Sequence, residues 1–317
     1  MQNNKSYYTG EELLNLKIKA VPMLWDPFIP QIGLIGLTGP SDTGKSTLLR
    51  QLAISICKRD INFLDNPLNT RYGNVVYIST EDGRDAVSVS ISKQLTGIDP
   101  EAVKNLKFIF NEGDPKKTLT KILNKENVDL VIVDAWADLY TGNTNDVGQV
   151  RHSLNGLSGI AEKYGCAIII LHHTIKNSEY HSPNKNRLNG SQGIEAKLRA
   201  LLEVRQGKNS ERILSILKGN YIPNEKKSKS ILLKFDEERL LFQTTGKAID
   251  KNTIFQGEGY RFTDDPDLAG QIVSLKRDNN LSFEKIHDRL VSERGEDVPS
   301  LTTIKNIYYR VTGRDAA

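Results

Sequence analysis

The sequence predicts a doubly wound α/β domain followed by a small helical domain, and three observations support this fold class. Short, continuous apolar runs alternate with amphipathic helical stretches, as in mostly parallel sheets that are covered by helices on both faces. Three further β-like runs then follow one another with only loops between them, which indicates an antiparallel extension of the sheet. The segment 268–317 carries apolar residues at helical spacing.

Five runs are typical of buried parallel strands, and they are short and almost wholly apolar. They are GLIGLTG from Gly33, VVYIS from Val75, LKFIF from Leu106, LVIVD from Leu130 and AIIIL from Ala167. Helical patterns such as STLLRQLAISICKR and VGQVRHSLNGLSGIAEKY lie between them. The runs of the antiparallel extension are LLEV from Leu201, ILSIL from Ile213 and ILLKF from Ile231.

These patterns divide the chain into four parts. Residues 1–30 form an N-terminal arm, polar at first and ending in the apolar VPMLWDPFIP, and residues 31–245 form the α/β domain. The polar segment 246–267, rich in Gly and Asp, is predicted to be a linker. In residues 268–317 we expect helices in LAGQIVSLKRDNN, SFEKIHDRLVSERG and SLTTIKNIYYRVTG.

Composition excludes several classes of protein. With 38% hydrophobic and 26% charged residues, the chain is neither wholly disordered nor fibrous. The mean hydropathy is −0.43, and no apolar run is long enough to span a bilayer, so we expect no membrane association. The N-terminus lacks the apolar core of a secretion signal, and Cys57 and Cys166 lie far apart in apolar segments. We therefore expect buried free thiols in a cytoplasmic protein, and the net charge of +4 allows a nucleic-acid partner without requiring one.

The strongest chemical signal is a phosphate-binding loop between the first predicted strand and a helix. The residues from Gly39 to Ser46 fit the pattern G-x-x-x-x-G-K-[ST]. Glycines let backbone N–H groups turn toward phosphate oxygens, Lys45 can reach the β- and γ-phosphates, and the Ser46 hydroxyl can ligate Mg²⁺. We assign ATP binding to Gly39, Pro40, Ser41, Asp42, Thr43, Gly44, Lys45, Ser46 and Thr47.

Two carboxylates at predicted strand ends complete the expected chemistry. Asp134 ends LVIVD, where it suits the Walker B role of holding Mg²⁺; otherwise it only caps a strand end. Glu81 follows VVYIS, a strand that we expect beside the phosphate-loop strand, and it is the candidate catalytic carboxylate. The alternative is that Glu81 and Asp82 form a solvated acidic turn, in which Asp82 caps the next helix.

The ordered set of motifs resembles the RecA-like ATPases. A carboxylate after the strand that follows the phosphate loop, then VDAWADLYTGNTND, LHHTIK and NGSQGIEAKLRALLEV, looks like the plasmid RepA-type hexameric helicases, which are related to the DnaB and RadA ATPases. The resemblance covers about Val21 to Phe242. It implies a RecA-like fold, ATP and Mg²⁺ as cofactors, and assembly of copies into a ring, by resemblance a hexamer.

The resemblance also implies roles for three residues beyond the phosphate loop. His173, at the end of AIIILHH, looks like a sensor of the γ-phosphate, whereas His172 is an ordinary polar strand end. Arg199 looks like an arginine finger that acts on the nucleotide of a neighbouring subunit. Lys197 lies two residues earlier, and strand alternation would put it on the same side as Arg199. The alternative is a solvated basic strand.

Single-stranded or forked DNA is the partner that the resemblance implies. The polar segment 174–193 resembles the loop that faces the central channel, and it contains Lys176, Lys185 and Arg187; a solvated loop is the alternative. A second basic stretch has Lys226, Lys227 and Lys229 near the tip of a hairpin, where a solvated charge run is the simpler interpretation.

The C-terminal segment resembles helix-turn-helix domains of resolvases and small regulators. Ser300 can cap the second helix, whose first residues would face DNA bases. The candidate contacts are Thr302, Thr303, Lys305, Asn306 and Arg310. Basic and acidic residues nearly balance over 268–317, so a helical domain for oligomer contacts or partner docking is the alternative.

Two functions follow from these predictions. The first is an ATP-driven ring motor that moves on single-stranded DNA and helps to replicate a plasmid, phage or other mobile element, together with other replication proteins. The second is an ATP-controlled initiator or helicase loader that recognises a specific site through the C-terminal domain. A RadA-like recombination factor is a weaker interpretation, because the sequence lacks zinc-type cysteine pairs.

Overall fold

A computed structural model describes residues 7–110, 113–143, 146–172, 183, 191–207, 210–251, 254, 266–277, 279–294 and 298–312. The chain forms two compact units, Met1–Phe255 and Gln256–Ala317. Among the described residues, no helix is both long and apolar enough to cross a bilayer. Cys57 and Cys166 are buried and free, which confirms the prediction from their apolar surroundings.

The first unit contains all the strands described and eight of the helices. The strands are β1 Met23–Trp25, β2 Ile29–Pro30, β3 Gly33–Thr38, β4 Asn62–Phe63, β5 Asn66–Pro67, β6 Val75–Ser79, β7 Leu106–Phe110, β8 Leu130–Asp134, β9 Ala167–Leu171, β10 Ala200–Gln206, β11 Glu211–Gly219, β12 Lys229–Asp236 and β13 Leu241–Asp250. The helices are α1 Gly10–Asn15, α2 Lys45–Cys57, α3 Arg84–Gln94, α4 Pro115–Leu123, α5 Trp136–Leu139, α6 Val147–Tyr164, α7 Ser191–Glu195 and α8 Asn224–Ser228, with a 3₁₀ turn at Pro100–Val103.

A nine-stranded sheet organises this unit in the order β13-β12-β11-β10-β3-β9-β8-β6-β7. The five predicted core strands, β3, β6, β7, β8 and β9, are parallel, and all but β7 are buried along their whole length. The strands β11, β12 and β13 extend the sheet in antiparallel fashion. The prediction of a doubly wound, mostly parallel sheet with an antiparallel extension is confirmed.

One detail of the extension was predicted wrongly. The strand that carries LLEV, β10, is antiparallel to β11 but parallel to β3, with Ala200 opposite Ile35 and Glu203 opposite Thr38. Parallel neighbours need a long crossover, whereas a few residues suffice for a hairpin. The long segment between Leu171 and Ala200 provides that crossover, so the antiparallel part begins only after β10.

Helices cover both faces of the sheet, as continuous apolar strands require. On one face α2 packs Leu48 and Leu52 into a cluster that includes Ile35 of β3. On the opposite face α6 packs Val150 and Leu154 into a second cluster. The phosphate-loop strand is therefore rigidly held, which positions the loop at its carboxyl end.

The α/β unit extends beyond residues 31–245 at both ends. Trp25 in β1 is 1% exposed, and its indole N–H donates to the Phe63 carbonyl at 3.0 Å, so the apolar end of the predicted arm belongs to the core. The strand β13 continues to Asp250, where it pairs with Lys229. Most side chains of this stretch are exposed, which is why its sequence resembled a linker. Its backbone nevertheless forms strand hydrogen bonds with β12.

The described part of the second unit is a cluster of three helices. Its helices are α9 Pro266–Arg277, α10 Phe283–Arg294 and α11 Leu301–Thr312. They share a core that includes Leu268, Ile272, Ile286, Leu290, Ile304 and Ile307. The Thr303 N–H donates to the Ser300 hydroxyl at 3.3 Å, which confirms Ser300 as the cap of α11.

Candidate active site

The phosphate-binding loop connects β3 to α2, and its two glycines are both required by the backbone. Gly39 has a φ of 144°, and a Cβ atom there would lie 2.1 Å from the Val204 carbonyl oxygen. Gly44 has a φ of 83°, and a Cβ atom there would meet the Phe242 ring at 2.8 Å. Helix α2 begins immediately afterwards at Lys45, so the unpaired N–H groups of its first turn face the loop.

Lys45 folds over this loop. Its ammonium donates to the Pro40 carbonyl at 2.5 Å, and the Thr43 hydroxyl donates to the same carbonyl at 3.0 Å. Burial lowers the pKa of Lys45. The carboxylates of Asp134 and Glu81 oppose that shift in pKa, so both lie within electrostatic reach of the ammonium. The structure thus brings together three residues that were predicted from separate segments.

Asp134 is a buried carboxylate at the end of β8, only 3% exposed. The Tyr77 hydroxyl donates to its Oδ2 at 2.5 Å, and the nearby Ser46 hydroxyl acts to lower the pKa of this carboxylate. Its Oδ1 is buried and accepts no hydrogen bond from any residue that the structure describes. Burial, the largest influence, raises the pKa of Asp134.

The donor set fits a magnesium ion. Mg²⁺ prefers hard oxygen ligands and is usually held by one or two protein oxygens together with substrate phosphates. Ser46 supplies a hydroxyl and Asp134 a carboxylate oxygen without a hydrogen bond, both next to the phosphate-binding loop. An acceptor left unsatisfied in the protein interior is costly unless a bound group uses it.

Glu81 lies at the same edge of the sheet, but its strand is not beside the phosphate-loop strand as predicted. Two strands, β9 and β8, lie between β3 and β6. Order along the chain does not fix order in a parallel sheet, because the crossover through α2 passes two positions that β8 and β9 fill later. Since these strands are parallel, their carboxyl ends still meet at one edge.

Hydrogen bonds tie the Glu81 turn to the Asp134 strand end. The Thr80 N–H donates to the Asp134 carbonyl at 2.8 Å, and the Ala135 N–H donates to the Thr80 hydroxyl at 2.9 Å. The Ser79 hydroxyl donates to the Asp82 carbonyl at 2.8 Å and closes the turn. The position of the Glu81 backbone is thereby fixed relative to Asp134.

Asp82 does not cap the following helix, contrary to one of our expectations. The cap of α3 is Gly83, which offers no side chain, and the Asp82 carboxylate instead pairs with Arg50 of α2 at 3.0 Å. The Arg50 side chain is only 5% exposed. This ion pair joins the phosphate-loop helix to the Glu81 turn.

Sequence reasoning missed three residues that shape the site. They are Tyr77, Thr80 and Arg50. Two signals for them were available in the sequence: a tyrosine within the aliphatic run VVYIS and an arginine within the apolar pattern of α2. Polar groups in buried positions need hydrogen-bond or charge partners, so both residues indicated specific contacts. Which partner each one finds depends on sheet order, and the sequence did not reveal that order.

The second predicted histidine, His173, lies outside the described residues, so its sensor role stays a prediction. His172 is buried, and its backbone N–H donates to the Leu37 carbonyl at 3.0 Å. Its ring packs edge-on against Trp136. A structural role for His172, as expected, accounts for these contacts.

Arg199 lies far from the phosphate loop of its own chain. It directly precedes β10, and its backbone N–H donates to the Leu34 carbonyl near the amino end of β3. The phosphate loop, in contrast, follows the carboxyl end of β3. The side chain is 41% exposed, and its guanidinium lies 3.8 Å from Glu162. Lys197 lies in a turn before the strand begins at Ala200, so strand alternation does not relate it to Arg199, and that expectation was wrong.

The candidate DNA contacts are only partly described. Lys176, Lys185 and Arg187 lie outside the described residues, as does the Arg310 side chain. On α11, Thr302 and Asn306 are exposed one turn apart, while the Thr303 hydroxyl bonds to Ser300. The Lys305 ammonium lies 5.8 Å from the centre of the Phe283 ring.

The basic stretch near the β11–β12 connection lies on and just after α8. The Lys226 side chain is 53% exposed and 3.9 Å from Asp26, and Lys227 reaches the Gly219 carbonyl at 3.4 Å. Lys229 begins β12 and is exposed. These contacts are those of a solvated surface.

Comparison with known proteins identifies similar sequences and folds. The sequence model of the AAA domain matches residues 9–179. The DNA repair protein RadA of Brucella abortus (strain 2308) is 28% identical over 155 residues, and the match spans 47% of this chain and 30% of that protein. The chain thus spans less than a third of the length of this curated relative.

Two solved structures are similar to this chain. The ATPase domain of G40P superposes with a TM-score of 0.55 and 14% identity, over 74% of this chain and 95% of that domain. The crystal structure of the RadB recombinase gives a TM-score of 0.49 and 16% identity, over 69% of this chain and 92% of that structure. At such identity, the likeness to the G40P domain shows the fold alone, which is RecA-like as predicted.

The buried Asp134 carboxylate predicts a dependence of stability on pH. Because its pKa in the folded protein is raised above 3.8, the stability that Asp134 contributes is present below the unfolded pKa and is lost as pH rises through the folded value. In EDTA without nucleotide, Asp134→Asn should raise Tm at pH 7 by about 2–4 °C, the change expected for about 1 kcal/mol in a domain of this size.

The difference between Asp134→Asn and wild type should shrink as the pH is lowered toward 4. Thermal unfolding followed by circular dichroism at several pH values measures it. The matched control is Glu238→Gln, at an exposed carboxylate outside any helix, which should change Tm little at any pH. A Tm for Asp134→Asn equal to or below that of wild type at pH 7 would show that burial of this charge does not destabilise the fold.

Proposed function

The chain belongs to the AAA domain family, and from this premise we propose that it is a ring-forming, ATP-hydrolysing DNA motor of the RepA type. Its RecA-like fold and phosphate-binding loop support ATPase activity. The observation that carries the proposal is the Asp134 Oδ1, buried without a hydrogen bond beside Ser46 and the loop. A carboxylate left in this state favours a metal–nucleotide site over a purely structural turn.

In this proposal the residues Gly39–Thr47 bind the phosphates of ATP, and Ser46 and Asp134 hold Mg²⁺. Bound Mg²⁺ would neutralise negative charge on the β- and γ-phosphates. Glu81 accepts the proton of a water whose oxygen forms the new bond to the γ-phosphorus. The bond between that phosphorus and the bridging oxygen breaks, and ADP carries the electron pair away.

Arg199 completes the site from a neighbouring copy. Arg199 lies beside the amino end of β3, whereas the phosphate loop of the same chain follows the carboxyl end of that strand. This separation supports action in trans. In the site of a neighbouring copy, a guanidinium stabilises the negative charge of the phosphoryl group in the transition state. We assign Lys197 a supporting charge and His173 the sensing of the γ-phosphate. Copies related head to tail close into a ring, for which we propose six members.

DNA is the proposed substrate along which the motor moves. The RadA relative is a DNA repair protein, and the segment 174–193 of this chain carries Lys176, Lys185 and Arg187. A basic loop that follows the backbone without reading bases suits single-stranded DNA. We propose action in the cytoplasm on single-stranded or forked DNA of a plasmid, phage or other mobile element, with other replication proteins as partners.

A second candidate function is that of a site-specific initiator or helicase loader. The three-helix unit favours it, because Ser300 caps α11 and leaves Thr302 and Asn306 exposed one turn apart near the start of the helix. In helix-turn-helix proteins the first residues of the second helix contact base edges. In that case ATP switches assembly, and the C-terminal unit binds duplex DNA.

Substitution of the two proposed catalytic residues should separate binding from hydrolysis. Lys45→Ala removes the ammonium at the β- and γ-phosphates and should abolish binding of a fluorescent ATP analogue. Glu81→Gln keeps the shape of the side chain and should bind the analogue like wild type, while phosphate release falls by about 10²–10⁴. The control is Glu101→Gln, an exposed glutamate paired with Lys104, which should hydrolyse ATP normally. Near-normal hydrolysis by Glu81→Gln would remove Glu81 from the chemistry.

Strand displacement distinguishes the motor from the loader. A forked substrate with one labelled strand is incubated with wild type, Mg²⁺ and either ATP or a slowly hydrolysed analogue. The motor releases the strand only with ATP, and single-stranded DNA stimulates its phosphate release. The loader leaves the fork intact, and Thr302→Ala/Asn306→Ala then weakens its binding to duplex sites. ATP-independent release, or none, would contradict the motor.

A further inference from the structure

The Tyr77 side chain lies in the protein interior, next to the candidate metal ligand Asp134. It is fully buried and belongs to the apolar cluster on the α2 face of the sheet. Its ring packs against the ring of Phe108 in β7, and the two ring centres are 5.2 Å apart. Because side chains in a close-packed interior have little room to move, the enclosed ring fixes the position of the hydroxyl oxygen.

The pairing of β6 with β8 brings the Tyr77 hydroxyl to the Asp134 carboxylate. In this parallel register Tyr77 lies opposite Ile132, and Asp134 lies two residues beyond Ile132 on the same face of the sheet. The hydroxyl oxygen is 2.5 Å from Oδ2 of Asp134 and 3.5 Å from the Ser46 carbonyl oxygen. A tyrosine hydroxyl has one proton to donate, and the shorter distance assigns that proton to the carboxylate.

This hydrogen bond makes the two oxygens of the Asp134 carboxylate unequal. Oδ2 accepts the proton of Tyr77, whereas the buried Oδ1 accepts no hydrogen bond from the residues that the structure describes. A metal ion that used both oxygens would have to displace the Tyr77 hydroxyl, which has no space to turn away. The carboxylate therefore offers one oxygen, Oδ1, to a metal ion or to a water bound to that ion.

The number of oxygens that a carboxylate offers affects which metal ion it prefers. Mg²⁺ needs near-ideal octahedral geometry, and proteins usually hold it by one or two carboxylates together with phosphates and waters. Ca²⁺ is larger, takes about six to eight oxygens and often uses both oxygens of a carboxylate. Among the described residues, no group of three or more His, Cys, Asp or Glu side chains could hold a metal ion. A single carboxylate oxygen beside a phosphate loop therefore suits Mg²⁺ better than Ca²⁺.

We propose that Tyr77 is a positioning residue that makes Asp134 a one-oxygen ligand and thereby favours Mg²⁺ over Ca²⁺ at the nucleotide site. The inference rests on the proposed function, in which Ser46 and Asp134 hold the metal ion, and it adds a residue that determines the choice of metal. Without the hydroxyl, both oxygens of Asp134 become available, so the larger ion is accommodated better. A purely structural role of Tyr77 would instead change stability, or change nucleotide binding equally with either metal.

Tyr77→Phe removes only the hydroxyl and tests the proposal in the full-length chain. The dissociation constant of a fluorescent ATP analogue is measured in EDTA, in saturating Mg²⁺ and in saturating Ca²⁺. In EDTA the variant should bind like wild type, because Lys45 and the phosphate loop are unchanged. Mg²⁺ should tighten binding about tenfold less than it does in wild type, the loss expected for one hydrogen bond to a charged group. Ca²⁺ should tighten binding at least as much as in wild type.

The matched control is Tyr164→Phe, at the end of α6, where the hydroxyl donates to Asn124 at 2.8 Å; it should keep the metal preference of wild type. Tyr77→Met, with a flexible apolar side chain, replaces Tyr77→Phe if circular dichroism shows that the latter is unfolded. An unchanged preference for Mg²⁺ over Ca²⁺ in a folded variant would overturn the proposal and leave the proposed function intact. Equal binding by wild type in EDTA and in Mg²⁺ would instead overturn the metal site of the proposed function, and this inference with it.

Discussion

The hydrogen-bonded register between β6 and β8 sets Ser79 opposite Asp134 at the carboxyl edge of the sheet. A shift of one residue would turn Tyr77 to the other face and remove its hydroxyl from the Asp134 carboxylate. It would also break the bonds of Thr80 to the end of β8, which hold the Glu81 turn. The predicted metal ligand and the predicted catalytic carboxylate therefore depend on one strand pairing. The hydrogen bonds of Tyr77 and Thr80 to the end of β8 favour that register over a shifted one.

The candidate site contains several charged side chains that are buried in the protein interior. Lys45 and Asp134 are both buried, and burial lowers the pKa of the first and raises the pKa of the second. Arg50 is buried as well, and its pairing with Asp82 connects α2 to the Glu81 turn. Buried charges of this kind cost stability unless they are paired, and they recur at functional sites because a bound group completes the pairing. Bound nucleotide and Mg²⁺ would satisfy both, because phosphate oxygens would pair with the lysine and the metal ion with the aspartate.

The sequence predicted features that depend on local pattern. The five parallel strands, the phosphate loop and the Ser300 cap were found because each is encoded within a few consecutive residues. Predictions that needed sheet order failed: β6 is not beside β3, β10 is parallel to β3, and Lys197 precedes the strand that was expected to orient it. The partners of Tyr77, Thr80 and Arg50 were missed for the same reason, since each contact joins segments distant in sequence.

The proposed assembly would bring together residues from opposite ends of the parallel strands. The candidate nucleotide site lies at the carboxyl edge of the parallel strands, whereas Arg199 lies near their amino edge, so a site that uses both needs two copies. The most direct test mixes Arg199→Ala with Glu81→Gln and measures phosphate release. Each variant alone should be nearly inactive, and a random equimolar assembly should recover about a quarter of the wild-type rate, because half of the sites keep Glu81 and half of those face an intact Arg199. Mixed assemblies that remain as inactive as their components would contradict a site completed between copies.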